Sequence, residues 1–143
     1  MPEMKKILVT GGAGFIGSNF IRHILNKYDD YTIVNLDKLT YCGNLDNLKD
    51  ISKNRRYKFV KGDIVDAKVV EKAAKSCEVI VNFAAETHVD RSIHGAAEFV
   101  RTNIFGTHTL LEVAKKLKTR LYIQISTDEV FGSISEGSFK EDD

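Results

Sequence analysis

Short runs of Val, Ile and Leu alternate along this chain with longer stretches whose apolar residues recur at helical spacing. Lys6 to Thr10 (KILVT), Thr32 to Asp37 (TIVNLD), Tyr57 to Val60, Val79 to Ala84 (VIVNFA) and Leu121 to Ser126 (LYIQIS) read as buried parallel strands, rich in Val and Ile. Between them Phe15 to Lys27, Ala67 to Lys75 and a long stretch from about Ala96 to Lys118 suit helices. Val100, Ile104, Leu111 and Ala114 are expected to form one apolar stripe on the last of these. Strands alternating with helices through right-handed crossovers predict an α/β fold, a doubly wound parallel sheet, most simply in the order 3-2-1-4-5.

Composition narrows the class of protein. The chain has 143 residues, enough for one core but short for an enzyme that holds both a dinucleotide and a substrate, so 1–143 is expected to be a single, incomplete domain. Its one proline, Pro2, leaves no proline-rich linker inside. The 21 basic and 20 acidic residues nearly cancel, so no long-range field recruits nucleic acid or an anionic membrane. Cys42 and Cys77 fit neither a metal-ligand spacing nor a disulfide framework, and no signal sequence precedes the first strand, which points to a reducing cytoplasm. No stretch approaches the roughly 20 apolar residues of a membrane helix.

Candidate chemistry begins at the first turn, Thr10-Gly-Gly-Ala-Gly-Phe-Ile-Gly17. Gly11, Gly14 and Gly17 are placed for a tight turn, close backbone approach to a pyrophosphate and close helix-strand packing, and the helix N-terminus offers free N–H donors. Asp37 ends the second strand 20 residues after Gly17, where its carboxylate can accept from both adenosine ribose hydroxyls and would repel a 2'-phosphate. The motif therefore predicts a Rossmann-like site for NAD rather than NADP, with a helix or turn cap as the plain alternative for Asp37. Asp63, after the third strand, can meet an adenine amino group or cap the helix near Ala67. Phe83-Ala84-Ala85-Glu86-Thr87 would let backbone lie against a nicotinamide ribose, and Thr87 to Ser92 reads as a polar loop at the same rim. There His88 suits a structural hydrogen-bonder, and Asp90 and Arg91 an ion pair holding the loop. The four histidines form no metal-ligand set. Thr102 and Asn103 can face the cofactor or water. Beyond the fifth strand, Ser-Thr-Asp-Glu-Val-Phe-Gly puts Asp128 and Glu129 where open parallel sheets bind ligands; the bland reading is loop acids or a helix start.

Several blocks in order, TGGAGFIGS at Thr10, LDKLTYCGNL at Leu36, GDI at Gly62, AAETHVDRSI at Ala84, TNIFGTHTLLE at Thr102 and ISTDEVFG at Ile125, carry a resemblance over nearly the whole chain. It resembles the N-terminal part of the extended short-chain dehydrogenase/reductases, and within them the dTDP-glucose 4,6-dehydratase family. The resemblance implies NAD contacts from Phe15, Ile16, Asp37, Lys38, Leu39, Thr40, Asp63, Ile64, Phe83, Ala84, Ala85, Glu86, Thr87 and Thr102, with Thr87 and Thr127 also touching a nucleotide-sugar substrate, dTDP-glucose. It further implies an internal redox cycle in which hydride leaves C4 of the hexose and returns to C6. Glu129 would remove the C5 proton, Asp128, kept protonated, would donate to the departing C6 hydroxyl, and Thr127 would hydrogen-bond the C4 oxygen. A homodimer through the two long helices is usual in such families, and Ala96 to Lys118 can supply one of them.

The Asp of the acid pair sets the chain apart from related decarboxylases and 4-epimerases, while UDP-glucose dehydratases share it; these, and a non-catalytic NAD-binding module, are the alternatives. Cys42, Thr87 and Phe131 stand where many members have Ala, Ser and Tyr. The family's Tyr-x-x-x-Lys pair is expected beyond Asp143. Tyr57 to Lys61 matches it in letters only, because on a strand those positions lie roughly 13 Å apart against about 6 Å on a helix. The chain alone is thus expected to bind NAD weakly, to self-associate through its last strand, and not to turn over.

Overall fold

Five parallel strands, β1 (Lys5–Thr10), β2 (Tyr31–Asp37), β3 (Tyr57–Lys61), β4 (Val79–Asn82) and β5 (Leu121–Gln124), form one sheet in the expected order β3-β2-β1-β4-β5. The computed structural model describes residues 5–142, apart from the side chains of residues 89, 91 and 94. The Asp90–Arg91 ion pair therefore lies outside what is described.

Alternation along the central strands sends side chains to two cores. On one face Leu8, Leu36 and Ile80 pack with Val70 of α2 (Ala67–Ala74) and with Leu110 and Val113 of α5 (Thr107–Leu117). On the other, Val9, Ile33 and Val81 meet Ile21 and Leu25 of α1 (Phe15–Lys27). Asp66 starts α2 by accepting from the N–H groups of Lys68 and Val69, so Asp63 does not cap that helix. Tyr57 and Lys61 lie on β3, which excludes them as a helical pair.

Burial corrects two of the expected strands. β3 is only half-buried and β5 is mostly exposed, because each is paired on one side only. β4 and β5 also stop at Asn82 and Gln124, two residues before the apolar runs end.

The long helix is the larger correction. It runs as α4 (Ala96–Phe99), a π-helical segment over Val100–Gly106 and then α5, which ends at a left-handed Lys118. The i→i+5 bonding takes an extra residue into the turn and rotates the apolar face between the halves. Gly106, Leu110, Val113 and Ala114 are buried, whereas Val100, Ile104 and Leu111 are 44%, 61% and 46% exposed. The expected stripe thus joins one core residue, Ala114, to an outer surface.

Two short elements were not expected. A 3-10 helix at Leu45–Ile51 buries Leu48 and Ile51 behind α1, begun by Asn44 accepting from the Asp46 N–H. The segment read as a polar loop contains α3 (Val89–His94). Among the described residues, no helix is long and apolar enough to cross a membrane.

Candidate functional site

An open crevice with a cavity volume of about 100 Å³ lies at the carboxyl ends of β1, β2, β3 and β4. Its lining includes Gly11, Gly14, Asp37, Lys38, Thr40, Asp63, Ile64, Phe83, Ala84, Ala85, Glu86 and Thr102, which the sequence places at a cofactor. Leu36, Cys42, Gly43 and Gly62 line it as well. The signal for these four was available: each neighbours a predicted residue at a strand end or in the loop after Asp37.

Backbone geometry fits the crevice to a dinucleotide. Gly11 has φ +67°, and a Cβ there would come within 2.6 Å of the Ala84 nitrogen, so glycine is required where β1 and β4 diverge. Helix α1 starts at Gly14 with no side-chain cap and no acidic residue in its first turn, leaving free N–H donors. Phe15 and Ile16 can serve a phosphate through these backbone groups. Their side chains, 81% and 63% exposed, instead line an apolar hollow with Phe20, Phe83, Ile123 and Ile125 on the α1 side of the sheet. Gly17 packs against the loop, where a Cβ would meet the Gly12 Cα at 2.8 Å.

Asp37 organises the β2 end. Its Oδ2 accepts from the Ala13 N–H at 2.9 Å and its Oδ1 from the Leu39 N–H at 2.8 Å, so it caps a turn while lining the crevice. A carboxylate has about four lone-pair sites, and the two left unused suit a diol. The glycine loop is held from below too: the Ala13 carbonyl accepts from the Asn44 N–H at 3.0 Å and from Asn47 Nδ2 at 2.9 Å. Leu39 takes φ 58° in the loop wrapped around Asp37 and does not itself line the crevice.

Asp63 is bound by two cations, Arg101 at 2.8 Å and Lys38 at 3.0 Å, and accepts from the Val65 N–H at 3.2 Å. Burial is the largest single influence on its carboxyl and favours the neutral form, but the bonds from Arg101 and Lys38 together outweigh it and hold the pKa below the usual value. Across the crevice Asn103 clamps the chain after β4. Its Oδ1 accepts from the Glu86 N–H at 2.8 Å and its Nδ2 donates to the Glu86 carbonyl at 2.9 Å. Burial raises the pKa of Tyr41 on the next loop, helped by the negative charge of Glu86.

Thr127, Asp128 and Glu129 stand outside the crevice lining, in a single 3-10 turn (Asp128–Phe131) after β5. Thr127 caps that turn, its Oγ1 accepting from the Glu129 N–H at 3.4 Å and donating to Asp128 Oδ1 at 3.1 Å. All three are exposed, as is Thr87. The turn is tied to the crevice through β4, because the Ile125 N–H donates to the Asn82 carbonyl at 3.1 Å. Among the described residues, no group of three His, Cys, Asp or Glu is placed to hold a metal.

The family model described as GDP-mannose 4,6 dehydratase matches residues 8–143. The chain belongs to that family. Within it, the chain is 54% identical over 137 residues to the low-salt glycan biosynthesis protein Agl12 of Haloferax volcanii, an alignment covering 96% of this chain and 44% of the relative. It is 52% identical over 141 residues to a dTDP-glucose 4,6-dehydratase of Streptomyces niveus, covering 96% and 42%. The crystal structure of dTDP-glucose 4,6-dehydratase from Bacillus anthracis in complex with NAD matches with a TM-score of 0.85 at 48% identity, covering 96% of this chain and 42% of that one. The chain therefore spans less than half the length of these relatives.

Proposed function

We propose that these residues are the NAD-binding portion of a dTDP-glucose 4,6-dehydratase, with the substrate-binding part contributed by further chain. The observation that carries the reading is the acid pair Asp128 and Glu129 in the turn that follows β5, the strand beside the one whose end floors a crevice shaped for a dinucleotide. Asp37 in that crevice favours ribose hydroxyls and opposes a 2'-phosphate, which selects NAD over NADP. When bound, NAD supplies a reversible acceptor for hydride from the sugar.

The residues of this chain do the rest. The first-turn N–H groups of Phe15 and Ile16, with Gly11 and Gly14, receive the pyrophosphate; Asp37, Lys38 and Thr40 take the ribose, and Asp63 and Ile64 lie at the adenine. Phe83 to Thr87, with Thr102, border the nicotinamide half. Thr127 holds the C4 oxygen, and Thr87 touches the sugar beside it. Once C4 is a ketone the C5 proton is acidic; Glu129 is the base that removes it and Asp128 the acid that delivers a proton to the C6 hydroxyl, which leaves as water. Two free thiols, Cys42 and Cys77, suit a cytoplasmic setting. The exposed Val100, Ile104, Phe105 and Leu111 suit the contact face of a homodimer.

Glu129→Gln in the full-length natural protein is the direct test. Turnover of dTDP-glucose should fall by about 10²- to 10⁴-fold, the usual worth of a positioned base, while reduction of NAD by substrate, followed at its absorbance, persists. Wild-type turnover in that variant would overturn the assignment.

A further inference from the structure

Asn82, fully buried at the end of β4, sits in a row of polar side chains that crosses three strands at one register position, Thr10 beside Asn82 beside Gln124. Asn82 Oδ1 accepts from Thr10 Oγ1 and, at 3.1 Å, from the Ala84 N–H. Its Nδ2 donates to Gln124 Oε1 at 2.9 Å, and Gln124 Nε2 donates onward to the Ile125 carbonyl at 3.2 Å.

The direction of every bond in this row is forced from one end. A backbone N–H can only donate, so Ala84 requires the oxygen of Asn82 on its side and turns the amide nitrogen toward β5. Gln124 must then offer its oxygen, which turns its own nitrogen onto Ile125. Neither amide can flip without setting two donors or two acceptors face to face. The row begins at Ala84 in the crevice floor and ends two residues before Thr127, yet neither Asn82 nor Gln124 lines the crevice.

We propose that Asn82 and Gln124 are positioning residues that fix the Thr127–Glu129 turn relative to the cofactor crevice. The proposal rests on Asp128 and Glu129 acting as acid and base. Gln124 is the residue to change, because among the described residues it is exposed whereas Asn82 is fully buried. In the full-length natural protein, Gln124→Met, which removes both ends of its link, should lower kcat about tenfold, as expected for a catalytic turn displaced by a fraction of an ångström. NAD affinity and the KM for the sugar nucleotide should stay within about twofold. Gln124→Glu, which still accepts from Asn82 but no longer donates to Ile125, should lower kcat in the same direction. Tyr122→Phe, which removes the hydroxyl donated to Gln124 Oε1 but leaves the Asn82–Gln124 and Gln124–Ile125 bonds in place, should leave kcat within about twofold. Wild-type kcat in Gln124→Met, or an equal loss of kcat and NAD affinity, overturns the proposal. Glu129→Gln run beside it separates the two readings: if that variant still eliminates water, the acid-base assignment fails and the proposal with it. If Glu129→Gln is dead and Gln124→Met is unaffected, only the positioning role fails.

Discussion

Asp63 is held from three parts of the chain: by the cations Lys38 after β2 and Arg101 on the long helix, and by the Val65 backbone N–H beyond β3. With its pKa held below the ordinary carboxylate value, the sign of its pH effect follows. The folded state keeps Asp63 ionised where the unfolded chain begins to take up a proton, so its contribution is complete above about pH 4 and is lost as pH falls through the lowered value. Asp63→Asn should therefore be less stable than wild type at neutral pH, by at most about 1 kcal/mol because the two cations are partly solvated. Denaturant titrations at several pH values should show that gap closing in acid; a gap independent of pH would refute the ionic account. The sequence put Asp63 at the crevice from its place after a strand, but left open whether it capped a helix. Asp66 three residues later settled that, and no spacing rule could foresee Arg101, which is 38 residues away and whose facing depends on the π segment.

Elements report differently from residues. Strand order, the extent of α1 and the glycine turn were all legible, because local pattern and topology rules agree there. The outer faces were not. A heptad-like reading of Val100, Ile104 and Leu111 assumes one unbroken α-helix, and the widened turn breaks that assumption. The segment Leu45–Ile51 escaped because it is two short 3-10 turns meeting at a kink at Leu48 (φ −124°, ψ 15°), too short and broken to show a helical period. The face assignment is checked by a pair of neighbours. Leu110→Ala, in the core, should cost about 2–5 kcal/mol in unfolding free energy, whereas Leu111→Ala should stay within about 0.5 kcal/mol. Equal costs would return the stripe to its expected place.

At the scale of the molecule, apolar surface among the described residues lies open on the outer side of the long helix and in the hollow beside β5 where Phe15, Ile16, Ile123 and Ile125 are exposed. The free edge of β5 adds unpaired backbone groups to the second. The isolated 143-residue chain should therefore self-associate at micromolar concentration in sedimentation velocity. Ile123→Lys should suppress association through the β5 edge, whereas Phe105→Glu should act only on the helix face. A monodisperse monomer before any substitution would contradict the expectation.

The widened turn at Val100–Gly106 also sets how this region tolerates change in length. Its first half addresses the crevice through Arg101, Thr102 and Asn103, whereas the rod downstream of it addresses the sheet through Leu110 and Val113. Loss of one residue there would swing the upstream part by about 100° about its axis, the angle of a single α-helical step. That would carry Arg101 off Asp63 and Asn103 off Glu86 while the core stayed intact. The turn acts as a phase shift between two addresses on one rod, so an indel in this stretch would uncouple cofactor from scaffold without unfolding either.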